Sequence, residues 1–221
     1  MYIKIYTYNL YVCQPFFILI TMPRRTFEEA QRTRKSILDK AIEVFSVVGY
    51  EKLSLEALAS AVNVTRGAIY HHFGNKERLF RESAIALLET MGATILRYAR
   101  SGDSAGEDPW EALILGCEGF LVASQDAAYQ RIILTEAPSI LGMGEWQTLD
   151  DRYTTAPLIE VLGILAADGR LGSLNTEATA RALSGAMHQL SLWITSPEDV
   201  GTAHATVRTF LSTLTKGVIS S

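Results

Sequence analysis

The sequence predicts an all-α chain of about nine helices, with an N-terminal three-helix, helix-turn-helix module (22–76) ahead of a larger helical body (77–221). Three observations predict it. Apolar residues recur at helical spacing, with no alternating strand pattern. Capping residues and Gly or Pro stops punctuate the chain at helix-length intervals. No strand–helix–strand rhythm is present, which argues against most nucleotide-cofactor folds. The chain has 221 residues, 48% of them hydrophobic and 20% charged, enough for a globular protein with a sizeable core.

Residues 1–21 stand apart. They are rich in Tyr, Phe and Ile, carry only Lys4, and show no helical period. The run Phe16–Ile20 is too short to span a bilayer. The segment is also a poor signal peptide, with polar residues in its middle and no clean cleavage site. It reads as a non-functional or disordered extension, with Met22 as an alternative start. A membrane or partner-binding tail is the sharper alternative.

From Thr26 the helices follow in order. Thr26 with Glu29 is a capping-box pattern. Ile37, Ala41, Phe45 and Val48, joined by Leu38 and Ile42, form the stripe of a first helix that Gly49 stops. Ser54 caps a short second helix with an apolar face of Leu55, Leu58, Ala59 and Val62. Asn63 makes the turn, because it tolerates the left-handed conformation better than any residue but glycine. Thr65 caps a third helix reaching about His72, and Asn75 a long fourth reaching about Tyr98. Ser101 to Gly106 is the clearest linker. Five more helices follow at about 108–124, 126–137, 144–167, 176–195 and 198–217, broken at Pro138 with Gly142 and Gly144, at Asp168–Gly172, and at Ser196–Pro197.

Two short helices joined by a tight turn can read DNA. Leu58, Ala59, Val62 and Ile69 bury the inner faces, leaving Thr65, Arg66, Gly67, Ala68, Tyr70 and His71 on or near the outer face of the third helix. Arg66 can donate two hydrogen bonds to the O6/N7 edge of guanine. Gly67 and Ala68 let the backbone approach the groove. Tyr70 and His72 can reach phosphates, and Lys76 begins the fourth helix, where free N–H groups favour an anion.

Residues Ser54 to Glu77, above all the Gly67-x-x-Tyr70-x-His72-Phe73-x-x-Lys76 portion, resemble the DNA-binding signature of the TetR family of transcriptional regulators, over about residues 30–80. Asn63 stands where that family usually has glycine. The resemblance implies groove-facing positions at Thr65, Arg66, Ala68 and His71, and phosphate-contacting ones at Ser54, Tyr70, His72 and Lys76. It also implies a helical regulatory domain and a homodimer through 176–195 and 198–217, with Leu183, Met187, Leu190, Leu192, Ile194, Val207, Phe210, Leu211, Leu214 and Val218 on buried faces. The stretch from Arg131 to Asp199 is similar to one branch of such domains and names no ligand.

The charge divides accordingly. The net charge is −4, yet residues 22–76 hold nine Lys/Arg against six acids, a net +3. A basic module on an acidic body suits a phosphate-facing reader. Arg24 and Arg25 could reach a minor groove as an arm, or be a solvated end.

Candidate effector contacts are Trp110, Tyr129, Met143, Trp146, Met187 and His188, although aromatic and Met residues at helical spacing are more often core. Asp150 and Asp151 with Glu145 read as a solvated helix start. Cys13 and Cys117 match no metal or redox spacing, which fits a reduced, cytoplasmic setting. No catalytic triad, zinc set or phosphate-cradling loop is evident, so neither an enzyme nor a cofactor is expected.

The expected function is a repressor of a palindromic operator. A small apolar ligand releases it by tilting the fourth helix and spreading the recognition helices. An activator or ligand-independent regulator, and a small-molecule-binding helical protein without DNA function, remain as alternatives. Residues 1–21 leave open a membrane-associated form.

Overall fold

The computed structural model describes residues 24–101 and 108–219. The 1–21 extension, Met22 and most of the 101–106 linker lie outside them, as do the side chains of Arg24, Arg25, Thr26, Leu214 and Val218. Among the described residues there are nine helices and no strand. They are α1 (Arg24–Lys52), α2 (Leu55–Ala61), α3 (Arg66–Phe73), α4 (Lys76–Ala99), α5 (Pro109–Ala123), α6 (127–140), α7 (143–167), α8 (Thr176–Trp193) and α9 (Pro197–Ile219).

Helix α1 starts at Arg24, so Thr26 lies inside its first turn rather than capping it. A capping-box sequence caps only where the preceding chain leaves the helix, and Arg24 and Arg25 are themselves helical. Gly49 breaks the helix at φ 81°. Ser54, Thr65 and Asn75 cap as their sequence context predicts. Their side-chain oxygens accept from Ala57 N (3.3 Å), Ala68 N (3.1 Å) and Arg78 N (2.7 Å).

The turn between α2 and α3 closes with Val64 N donating to Ala59 O (3.0 Å) and Asn63 N to Ser60 O (3.3 Å). This is a Schellman arrangement, with Asn63 at φ 53° in the position usually held by glycine. Ile37, Ala41, Phe45, Leu58, Ile69, Leu79 and Phe80 are buried beneath the three-helix unit. Phe45, Tyr50 and Phe80 pack as a ring cluster at its junction with α4.

The body is built on α4, which lies along α5, with α7, α8 and α9 closing around them. Two helices depart from regular α geometry. Residues Tyr129–Glu136 in α6 and Asp151–Thr155 in α7 form wide π-helical turns, and each widening is followed two residues later by a proline, Pro138 or Pro157. A proline inside a helix lacks the N–H donor and crowds the carbonyl four residues earlier. The preceding turn relieves this by widening rather than by breaking, so 144–167 keeps the single helical path its periodicity predicts. In α6 the Thr135 hydroxyl donates to Gln130 O (2.9 Å), tying the widened turn.

The two last helices direct part of their apolar residues into their own protomer. Leu183, Met187, Ile194, Val207 and Leu211 are buried within the chain. Among their described side chains, the large apolar ones left exposed are Leu192, Trp193 and Phe210. The sequence pattern did not separate these two sets, because both recur at helical spacing.

Candidate functional site

The candidate reading face is the exposed side of α3. Thr65, Arg66, Gly67, Tyr70 and His71 are exposed, with Ala68 and His72 half-buried beside them. Inward, Ile69 and Phe73 anchor the helix in the core. A Cβ on Gly67 would meet nothing closer than Thr65 Oγ1 at 3.7 Å, so the outer surface is open to an approaching groove.

Arg66 is held ready on this face. Its guanidinium pairs with Glu56 of α2 and donates to Tyr70 Oη (2.9 Å), and both contacts hold its pKa above the usual arginine value, the tyrosine first. A base contact would exchange these partners for guanine. Burial, then the charges of His71 and Arg34, keeps the His72 imidazole below its ordinary range, so it is a neutral hydrogen-bonding group at neutral pH. Ser54 caps α2 and also donates to Glu56 Oε2 (3.1 Å). Lys76 is engaged within the protein. Its ammonium donates to Glu51 O (3.0 Å) and sits 4.7 Å over the Tyr50 ring, fastening the start of α4 to the end of α1.

The body contains a cavity of about 460 Å³, within the size range of small-molecule sites. Its walls are the last two turns of α4 (Gly92, Ile95, Leu96, Ala99), the α5 face around Gly116 and Phe120, and α7 residues from Tyr153 to Ile164, with Ser184 and Met187 of α8. The lining is mainly apolar, and Leu96 and Ile164 are exposed as well as lining, which puts an apolar rim on the opening. Among the described residues no Lys, Arg or His lines it, and Glu160 is the one carboxylate.

The six proposed effector contacts are scattered relative to this cavity. Met187 lines it. Trp110 lines a second, smaller hollow of about 330 Å³ between α5, α7, α8 and α9. Met143 is exposed on the surface. Tyr129, Trp146 and His188 form a cluster behind Phe120, whose ring meets Tyr129 at 6.3 Å and His188 at 5.3 Å, and the His188 ring lies 6.0 Å from Trp146. Asp150 joins this cluster. The solvated reading fits Glu145, which is exposed and pairs with Arg81, and Asp151, which is half-buried and pairs with Arg181, but not Asp150, which is 6% exposed. Asp150 sits in the middle of a continuous helical path, facing α8, rather than at a free helix start.

A contact between module and body was not legible in the sequence. Glu136 of α6 accepts from Tyr50 N (2.9 Å) with Oε2 and from Arg131 Nε (3.2 Å) with Oε1, while Arg131 Nη1 donates to Val47 O (3.0 Å). The break at Gly49 exposes these backbone groups, and a Cβ there would collide with both side chains. The cue was an arginine and a glutamate five apart, a spacing that predicts no pairing in a regular helix but is satisfied in a widened one.

Among the described residues no three His, Cys, Asp or Glu side chains gather as metal ligands, and no helix is long and apolar enough to cross a membrane.

Residues 37–83 match the family described as bacterial regulatory proteins, tetR family, and residues 110–218 match the tetracyclin repressor-like C-terminal domain. The chain belongs to the TetR family. It is 42% identical over 97 residues to the HTH-type transcriptional regulator TtgR of Pseudomonas putida, covering 43% of this chain and 42% of that protein. It is 49% identical over 61 residues to a probable acrEF/envCD operon repressor of Escherichia coli, covering 28% of each. The matched stretches thus span less than half the length of these relatives. A solved TetR-family transcriptional regulator from Pectobacterium atrosepticum superposes with a TM-score of 0.65 at 27% identity, covering 86% of this chain and 96% of that one. The TetR-type fold therefore extends across both the reading module and the body.

Proposed function

We propose that this TetR-family protein is a cytoplasmic, sequence-specific repressor that leaves a palindromic operator when a small, largely apolar effector fills the 460 Å³ cavity. One observation carries the reading: α4 serves both ends. Its first residue is fastened to the reading module through Lys76 and Glu51, and its last two turns wall the cavity. An effector that fits only one placement of α4 shifts the population of DNA-competent molecules, whereas equal affinity for both placements would shift nothing. In this reading α3 reads bases through Thr65, Arg66, Ala68 and His71, while Ser54, Tyr70 and His72 meet phosphates, joined by Lys76 once it exchanges Glu51.

The working unit is a homodimer through α8 and α9, whose exposed Leu192, Trp193 and Phe210 support a partner surface. Two modules about 34–36 Å apart read successive major grooves of an inverted repeat. The repressor name of the E. coli relative supports the sign of regulation. The test is selection of bound duplexes from a random pool, followed by anisotropy on the selected site while apolar compounds are added. Inverted repeats, and release by compounds that fail to act once Gly116→Leu fills the cavity, are expected. Unrelated single half-sites, or release unaffected by Gly116→Leu, would contradict it.

A further inference from the structure

Directly behind the cavity wall lie three buried polar atoms with no hydrogen-bond partner: Tyr129 Oη, Asp150 Oδ1 and His188 Nε2. Tyr129 is 2% and Asp150 6% exposed. Burying such groups unpaired costs free energy, so native proteins rarely leave them so without a reason. His188 Nε2 lies 3.2 Å from Asp150 Oδ1, yet neither atom is in hydrogen-bonding geometry with the other. Among the described residues no lysine or arginine pairs with Asp150.

Asp150 and His188 lie within one helical turn of residues that line the cavity, and Tyr129 packs against its wall residue Phe120. Thr154, which lines it, donates to Asp150 O (2.9 Å) from the next turn of α7. Ser184 and Met187, also lining, precede His188 on α8. Phe120 is both cavity wall and ring neighbour of Tyr129 and His188. Burial first, then the Asp150 charge, pushes the Tyr129 phenol far above its usual range, so the hydroxyl stays protonated.

Taking the cavity as the effector site, as proposed above, we propose that Asp150, Tyr129 and His188, behind Phe120 of its wall, seat the ammonium head of an amphiphilic primary amine whose tail fills the cavity. An alkylammonium has three N–H donors. The Asp150 carboxylate and the Tyr129 oxygen are acceptors for it, and so is His188 Nε2 when that nitrogen carries no proton. The rings of Phe120 and Trp146 lie beside His188, and aromatic surroundings suit a cation. A carboxylate head would meet Asp150 as a like charge, with no lysine or arginine among the described residues there to receive it.

Calorimetry with three probes of equal tail tests this: n-octylamine, n-octanol and octanoate, titrated into the full chain at neutral pH. A charge-assisted hydrogen bond predicts that octylamine binds about tenfold or more tighter than octanol, with octanoate weakest. Asp150→Asn and the gentler Tyr129→Phe, both checked for fold by circular dichroism, should each erase much of that preference while leaving octanol nearly unchanged. Glu160→Gln at the lining should not. Equal binding of the probes, binding of none, or a preference that survives Asp150→Asn or disappears with Glu160→Gln overturns the assignment. Operator release is read separately by anisotropy, so a failure here is distinguishable from failure of the repressor reading.

Discussion

Replacing Glu136 by alanine removes the acceptor that joins the body to the reading module. The Tyr50 N–H, bonded at 2.9 Å in a half-buried setting, loses its partner, and Arg131 loses the carboxylate that aims it at Val47 O. An orphaned donor costs about 1–3 kcal/mol when fully dry. The Glu136 side chain retains 20% exposure, so water recovers part of this. We therefore expect about 1–2 kcal/mol. For a chain of this size each kcal/mol lowers Tm by about 2–4 °C, giving a fall of about 2–8 °C in scanning calorimetry. Arg131→Ala should fall in the same range. The double variant should lose less than the sum, because the two side chains act on one strap. Operator affinity without effector should change little, since no residue of the reading face is altered, but an effector should release Glu136→Ala less completely than wild type. An unchanged Tm together with unchanged release would refute the view that this contact links body to module.

Asn63 at φ 53° supplies a left-handed turn that β-branched residues resist. Asn63→Val should cost about 1–2 kcal/mol by urea unfolding, whereas Asn63→Gly should be neutral or slightly stabilising. Burial, with the Glu118 charge, pushes the Cys117 thiol up to about 12. The unfolded thiol loses its proton near pH 8.5, so its contribution is fully present below that pH. It fades by up to about 1.4 kcal/mol per pH unit as pH rises towards 12. The stability difference between wild type and Cys117→Ala should therefore shrink between pH 9 and 11 in parallel denaturation series, and a constant difference would count against a buried neutral thiol. Phe210→Glu places a charge on the exposed face of α9 and should shift sedimentation towards monomer while preserving helix content. A dimer that tolerates it locates the partner surface elsewhere.

Where local rules decide, the sequence was a sufficient guide. Ser54, Thr65 and Asn75 cap through bonds to backbone three residues ahead, and Asn63 terminates α2 through its own tolerance of positive φ. These interactions span fewer than five residues, so spacing alone reveals them. The site in the body depends on contacts between distant residues. Asp150 looked like part of a solvated acidic pair because nothing nearby in the chain announces that α8 covers it. The Arg131–Glu136 pairing with α1 depends on a widened helix, which a regular period misplaces. Tyr129, Trp146 and His188 do assemble, but behind Phe120 rather than on the main cavity wall. Lys76 shows a similar limit: the helix start it occupies was legible, the Glu51 carbonyl it binds was not.

The central claim is that the outer face of α3 reads a specific DNA sequence. Fluorescence anisotropy tests it most directly, with wild type and Arg66→Ala titrated at two salt concentrations against a duplex recovered by selection and against random DNA. The account predicts specific binding by wild type that weakens with salt. It further predicts a loss of discrimination of roughly ten- to a hundredfold in Arg66→Ala, while affinity for random DNA falls less. Equal affinity of wild type for both duplexes, or full discrimination retained by Arg66→Ala, would contradict it.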